Sequence, residues 1–273
     1  MIQSKELLIN KNQKLLYAWF SAMFTRVDLV MMTDNSSTDL LKIAEEISSI
    51  IIKTENTGNK FDEASELAHV NHSAYDFPQQ ISTELFQMLM DCAQYHHDSY
   101  GHFDITVNSK NGFTQGMSNL VFNKQSQTIK FSHPDVQLDL SGFIKGYVLN
   151  DIKVYLNKKG IENALVNLGN SSILAMGNHP NGKGWKISLT ENPMEDIELY
   201  NECLTTSGNK EQTKWPVRNP KTGKELAAGK LISVKTEDPA HGEVLTKALF
   251  MATENEKQVL LKHFNATIVY SNK

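Results

Sequence analysis

The densest chemistry in this sequence lies in LDLSGFIKGYVLND, residues 138–151. A carboxylate (Asp139), a Ser-Gly turn and a lysine (Lys145) fall within seven residues, where a short apolar run meets an amphipathic one. A glycine-bearing strand-to-helix junction can aim backbone N–H groups and a positive charge at one point. A phosphate or a nucleotide suits such a point. An ordinary turn with a helix cap is the competing reading. A lysine at a helix start opposes the helix dipole, which favours a functional lysine over a merely solvated one. No GxGxxG, P-loop, HExxH or GxSxG motif is present. His96 and His97 are adjacent and would point to different sides of a helix, a poor arrangement for holding one metal.

The elements that must position these residues can be read from periodicity and punctuation. Residues 17–33 have strand-like content with partial alternation and are expected to form one long strand. SSTDLLKIAEEISSIIIK (36–53) places apolar residues on one helical face, with Ser36 or Ser37 as cap and the polar stretch TENTGNK ending it. FDEASELAHVN (61–71) reads as a loop with a short helical turn. A second helix is expected over 82–101, with Glu84 in its first turn and Gly101 past its end. Residues 121–132 form a hairpin, 136–139 a strand, and 143–159 a helix closed by Gly160. NALVNLG, SSILAMG and WKISLT are strands, as are segments near 196–205 and 229–236. Asp238-Pro239 is an N-cap followed by proline at the first helical position, opening a helix over 240–253. A short helix (255–263) and a strand (ATIVYS) end the chain. Helices mix with antiparallel-looking strands without a βαβ rhythm, so the fold class is α+β.

Bulk properties narrow the function. The chain has 273 residues, 40% hydrophobic and 21% charged, as in an ordinary folded protein. With a formal charge of −4, nothing favours nucleic acid or an anionic membrane as partner. Cys92 and Cys203 are too few and too isolated for a disulfide framework or a zinc site, and read as reduced core residues. The N-terminus shows no signal-peptide pattern, and the apolar run YAWFSAMFTRVDLVMM is broken by Arg26 and Asp28. A cytoplasmic chain without a membrane span is therefore expected.

Eight polar stretches remain: AMFT (22–25), FDEASELAHVN (61–71), GHFDITV (101–107), LDLSGFIKGYVLND (138–151), LVNLGNSSILAMG (165–177), TTSG (205–208), NPKTG (219–223) and GEVLTKALF (242–250). In this order they resemble the FAD:protein FMN transferase family, the ApbE-like flavin transferases. The resemblance spans nearly the whole chain. It implies a single domain over 1–273, built of two intertwined, T-fold-like α+β halves, with FAD bound between them. It also implies Mg²⁺-assisted cleavage of FAD and transfer of FMN to a threonine or serine of an acceptor protein, a phosphoryl transfer.

Residue by residue, Met23 matches the methionine of the family's AMGT, with Phe24 in place of its glycine. Phe61 matches an aromatic that stacks on FAD. Ser65, Glu66, Leu67 and Asn71 match its SEL-xx-xN pattern, although Ser65 also reads as the cap of a turn. His102, Phe103, Asp104 and Thr106 match the segment that contacts FAD. Asp139 matches an FAD-contacting aspartate, Gly142 a residue whose carbonyl faces the metal, and Lys145 the lysine of AKGY, able to reach a phosphate or the flavin ring. Ser207 and Gly208 persist in TTSG, with Ser207 on the catalytic side.

The later motifs depart from the family pattern. Asn150 replaces an aspartate and Asn170 a glycine. PVRNPKTG stands where the family has HIIDPRTG, so Pro216 falls on the histidine, the leading candidate for activating the acceptor hydroxyl, and Asn219 falls on the aspartate. Proline can accept no proton. GEVLTK stands for ADALAT, with Glu243 at the metal-binding aspartate and Lys247 at the threonine. Two readings of that pair stay open: a surface i,i+4 ion pair, or an ammonium in the metal's space. A catalytically silent FAD- or nucleotide-binding protein of the same fold, and a structural relative without flavin, are the rival functional readings.

Overall fold

A computed structural model describes residues 2–9, 13–35, 37–114, 116–189, 196–208, 217–226 and 229–272. In chain order the elements are β1 (Gln3–Leu8), β2 (Lys14–Ala22), β3 (Thr25–Thr33), α1 (Leu40–Gly58), α2 (Glu66–Ser73), β4 (Gln79–Gln80), α3 (Thr83–Asp98), β5 (Leu120–Asn123), β6 (Thr128–Phe131), α4 (Ile144–Lys158), β7 (Asn163–Leu168), β8 (Ser172–Met176), β9 (Trp185–Ile187), β10 (Ile197–Leu199), β11 (Cys203–Gly208), β12 (Leu231–Thr236), α5 (Pro239–Ala248), α6 (Glu254–His263) and β13 (Thr267–Asn272).

Among the described residues, eight strands form one sheet in the order β1-β2-β3-β7-β8-β11-β12-β13. Every neighbouring pair is antiparallel. Alternation along β2, β3 and β7 sends Leu16, Ala18, Phe20, Val27, Leu29, Ala164 and Val166 to one face. There they pack on Ile43, Ile47 and Ile51 of α1 and on Val148, Ile152 and Leu156 of α4. A second core joins α3, α5 and α6 to β12 around Leu85, Leu89, Phe143, Val234 and Leu245. The β9–β10 hairpin covers the other face of the sheet with Trp185 and Leu199, so β8 is buried along its whole length. The fold is thus α+β, with two helix-covered cores sharing one sheet, and α4 packs between α1 and α5. Cys92 and Cys203 are both buried and unbridged.

Residues 17–33 are two strands rather than one, β2 and β3, joined at Met23-Phe24. Both turn residues have positive φ, 49° and 57°, values that Gly or Asn usually supplies. With neither residue there, the hydrophobic pattern runs unbroken through the turn. Residues 136–139 form no strand and pair with none among the described residues. Asn71 takes a neighbour's place: its amide donates to the Leu138 carbonyl (2.9 Å) and accepts from the Leu138 N–H (2.7 Å). The Asp139 N–H donates to the Ile105 carbonyl (2.7 Å).

Asp39, not a serine, caps α1, accepting from the Lys42 N–H, and Ser36 lies outside the described residues. The first helix runs on to Gly58, α3 stops at Asp98 and α5 stops at Ala248. The segment near 196–205 is two strands parted by a turn at Asn201, whose φ is 52°. The short helical turn expected in 61–71 is α2, capped by Ser65, whose Oγ accepts from the Ala68 N–H at 3.1 Å. The segment Gln3–Leu8, for which no element is expected from the sequence, adds a fully exposed edge strand.

Candidate functional site

The opening of α4 carries the site. Phe143 stands at the N-cap position; among the described residues no side chain makes a capping hydrogen bond there, and the Ile144 N–H donates to the Leu140 carbonyl at 2.9 Å. Lys145, in the first turn, donates from Nζ to Ser171 Oγ. Burial pushes its ammonium below the ordinary lysine range; Glu243 raises it and Lys247 lowers it further. Ser171 lies in the β7–β8 turn, where Gly169 and Asn170 take φ of 66° and 59°. Asparagine tolerates this left-handed backbone, so the glycine-to-asparagine change at 170 leaves the turn intact. A Cβ at Gly169 would lie 2.1 Å from Thr25 Oγ1, so only glycine fits there.

Asp139 is almost fully enclosed by donors. Lys60 Nζ lies 2.7 Å from its Oδ2, Asn108 Nδ2 donates at 2.7 Å, and the Ser141 N–H donates to Oδ1 at 2.9 Å. Burial alone would raise its pKa, but Lys60 and Ser141 outweigh it and hold the carboxyl below the usual range. Lys60 also lies 5.0 Å from the centre of the Phe61 ring. The Met23 N–H donates to Glu55 at 2.8 Å, which ties the β2–β3 turn to α1. Met23, Phe24, Phe61, Asp139 and Lys145 line one cavity of ≈ 80 Å³. Phe24, 82% exposed, meets Phe61 edge to face, the ring centres 6.3 Å apart.

Gly142 and Gly146 set the approach of α5. A Cβ at Gly146 would sit 2.5 Å from the Pro239 carbonyl oxygen and 2.8 Å from Glu243 Cγ; at Gly142 it would sit 3.4 Å from Lys247 Cε. Two glycines four residues apart thus make room for two α5 side chains four residues apart. Glu243 is 2% exposed. Its Oε1 accepts from Ser172 Oγ at 2.5 Å and its Oε2 pairs with Lys247 Nζ. Next to this pair, Ser207 Oγ donates to Thr246 Oγ1 at 2.8 Å. Asn150 ties α4 to the start of α5, donating to Asp238 at 2.8 Å.

The GHFDITV residues form a separate group, joined to the first through the Ile105–Asp139 hydrogen bond. Phe103 is buried in the second core. Asp104 accepts from the Thr106 N–H and hydroxyl, and burial raises its pKa. His102 is 5% exposed, its Nε2 3.4 Å from Glu256. Burial lowers its pKa, and neither ring nitrogen makes a hydrogen bond among the described residues. Asp104 lines a larger cleft of ≈ 830 Å³ with Gly101, Pro220 and Lys221. Asn219 spends its side chain on its own turn, accepting from the Lys221 and Thr222 N–H groups. Pro216 lies outside the described residues. Among the described residues, no three His, Cys, Asp or Glu side chains gather as a metal site. No helix there is long and apolar enough to cross a membrane.

The pattern of the ApbE family matches residues 23–113 and 109–270. The chain belongs to the ApbE family. It is 27% identical over 246 residues to the FAD:protein FMN transferase of Chlamydia muridarum, covering 78% of this chain and 77% of the relative. It is 26% identical over 266 residues to that of Chlamydia trachomatis, covering 84% and 82%. Solved ApbE structures share the fold. The apo flavinyl transferase of Pseudomonas stutzeri superposes with a TM-score of 0.80 at 16% identity, covering 96% of this chain and 94% of that one. Thermotoga maritima ApbE gives 0.78 at 21%, covering 97% and 94%.

Lys60, Asn108, Ser171 and Ser172 complete the site without a motif that marks them in the sequence. Lys60 lies in the polar stretch after the first helix, and only the three-dimensional arrangement sets it on Asp139. The consecutive serines after NLGN, inside the stretch LVNLGNSSILAMG, are the one signal the sequence offers.

Proposed function

We propose that this chain is an FAD:protein FMN transferase acting on FAD and on a threonine- or serine-bearing acceptor protein. In that reaction the acceptor oxygen bonds to the FMN phosphorus and the bond to the AMP oxygen breaks. AMP leaves and the hydroxyl proton is released. The observation that carries the reading is convergence. Met23, Phe61, Asp139 and Lys145 come from four separate segments, and they line one cavity at the uncapped start of α4. The cavity is smaller than the roughly 300–1,000 Å³ usual for ligand sites, so a flavin ring fits there only if the lining residues move apart. Lys145 is assigned to a phosphate, Met23 and Phe61 to the ring, and Ser207 to the transfer side beside α5. Asp139 acts through the turn it organises. His102, Phe103, Asp104 and Thr106 are assigned to the outer part of the FAD site. The relatives that bear this activity in their names match over three quarters of the chain.

The family resemblance also implies Mg²⁺, held through the Gly142 carbonyl and Glu243. The residues present do not fit it. Both Glu243 oxygens are engaged, by a hydroxyl and by an ammonium, and the space beside Gly142 holds the Lys247 stem.

A second reading, FAD binding without transfer, is favoured by Pro216 and Asn219, which leave no proton acceptor at the family's base position. Incubation with FAD, Mg²⁺ and a protein carrying a flavinylation threonine separates the two. A fluorescent protein band on a denaturing gel is the expected result. Quenching of FAD fluorescence without a band selects the silent binder. Failure to bind FAD in any medium removes both.

A further inference from the structure

We propose that this chain binds the FAD pyrophosphate with a built-in pair of ammonium groups, Lys145 and Lys247, and requires no divalent cation to do so. The proposal rests on FAD being the ligand. An ammonium carries three donors and no lone pair, so Lys247 can neutralise an anion but cannot ligate a metal. A divalent ion added beside it would meet a like charge and a carboxylate already shared.

The arrangement is built around that ammonium. Lys247 is held by Glu243 one helical turn earlier, and Glu243 is fixed on its other oxygen by Ser172. The preceding residue, Ser171, holds Lys145. Consecutive serines, Ser171 in the β7–β8 turn and Ser172 at the start of β8, therefore orient Lys145 directly and Lys247 through Glu243. The two lysines feel each other, since Lys247 shifts Lys145 downward. Counted with Glu243, the cluster carries a net single positive charge at the uncapped end of α4, where an anion is favoured. Gly142 and Gly146 keep the α5 side chains close to that end. Both lysines remain partly exposed while Glu243 is sealed, so the ammonium groups, not the carboxylate, meet an incoming ligand.

The test titrates FAD into the full chain, read by flavin fluorescence quenching, once in excess EDTA and once in excess MgCl₂. Affinities within about twofold of each other are expected for the unaltered chain. Lys247→Thr is expected to bind about tenfold or more weakly in EDTA and to recover in Mg²⁺, as the carboxylate and new hydroxyl become ligands. A second measurement does not depend on that variant folding. Mn²⁺ added to the FAD-loaded chain should keep the spin-resonance signal of the free ion. Quenching seen only with Mg²⁺, or stoichiometric Mn²⁺ uptake, overturns the proposal and leaves FAD binding standing. No quenching in either medium overturns the FAD reading and this proposal with it.

Discussion

Two lysine–carboxylate pairs sit near the start of α4, and they differ in construction. Lys60–Asp139 joins the exit of α1 to the turn before α4, with side chains only 11% and 5% exposed. Asp139 has two further donors, Asn108 and the Ser141 N–H, so its lone pairs are largely used. Lys247–Glu243 lies within one turn of a single helix, with Lys247 the more open partner at 19%. The first pair is closed and ties three segments together. The second keeps a donor-rich ammonium accessible. A buried pair with every group satisfied serves geometry, whereas a pair with an accessible charged end is available to a ligand.

The largest effect should come from breaking the closed pair. Lys60→Met leaves Asp139 buried without its cation and should cost about 3–5 kcal/mol in urea unfolding. It should also reverse the pH dependence. In the unaltered chain the folded Asp139 pKa is depressed. Its stabilisation is present above the unfolded value of roughly 3.9 and is lost as pH falls through the folded value. Without Lys60, burial dominates and raises the folded pKa, so stability should fall as pH rises through it. An unchanged profile would show that Lys60 is not what holds the carboxylate down.

A smaller effect is expected where the two walls touch. Gly146→Ala puts a methyl group against the Pro239 carbonyl and the Ala240 backbone, which cannot swing aside. It should cost about 1–3 kcal/mol by thermal unfolding and weaken FAD quenching, because Glu243 and Lys247 are pushed away from α4. Full stability in this variant would mean that α5 does not approach so closely. The smallest change is Ser65→Ala, expected to cost about 1 kcal/mol as a lost helix cap with FAD affinity intact. A loss of affinity at constant stability would move Ser65 into the site.

Legibility followed locality. The amphipathic faces of α1 and α3, the hairpin β5–β6 and the Asp238-Pro239 start of α5 are set by neighbours in sequence, and they appear where periodicity and the Asp-Pro cap place them, although α1 is capped by Asp39 and the ends of α1 and α3 shift by a few residues. The β2–β3 turn was missed because two bulky residues adopt a backbone that glycine or asparagine usually marks. The 136–139 segment looked like a strand because its apolar pattern is real, yet a side chain, Asn71, makes the hydrogen bonds that a strand would have made. The Glu243–Lys247 spacing was readable as an i,i+4 pair, and its two meanings were not separable there, because burial of Glu243 depends on what α4 brings against it.

By itself the sequence determined the α+β class, the family, the order of the motifs and the two lysines at 145 and 247, since these depend on residue type and short spacing. Only the tertiary structure decided that Asp139 is spoken for by Lys60, that Ser171 and Ser172 orient one charge each, and that Glu243 is sealed against α4. Those outcomes depend on which distant groups share a low-dielectric space, where each must find a partner and where the partner found sets what remains free to act.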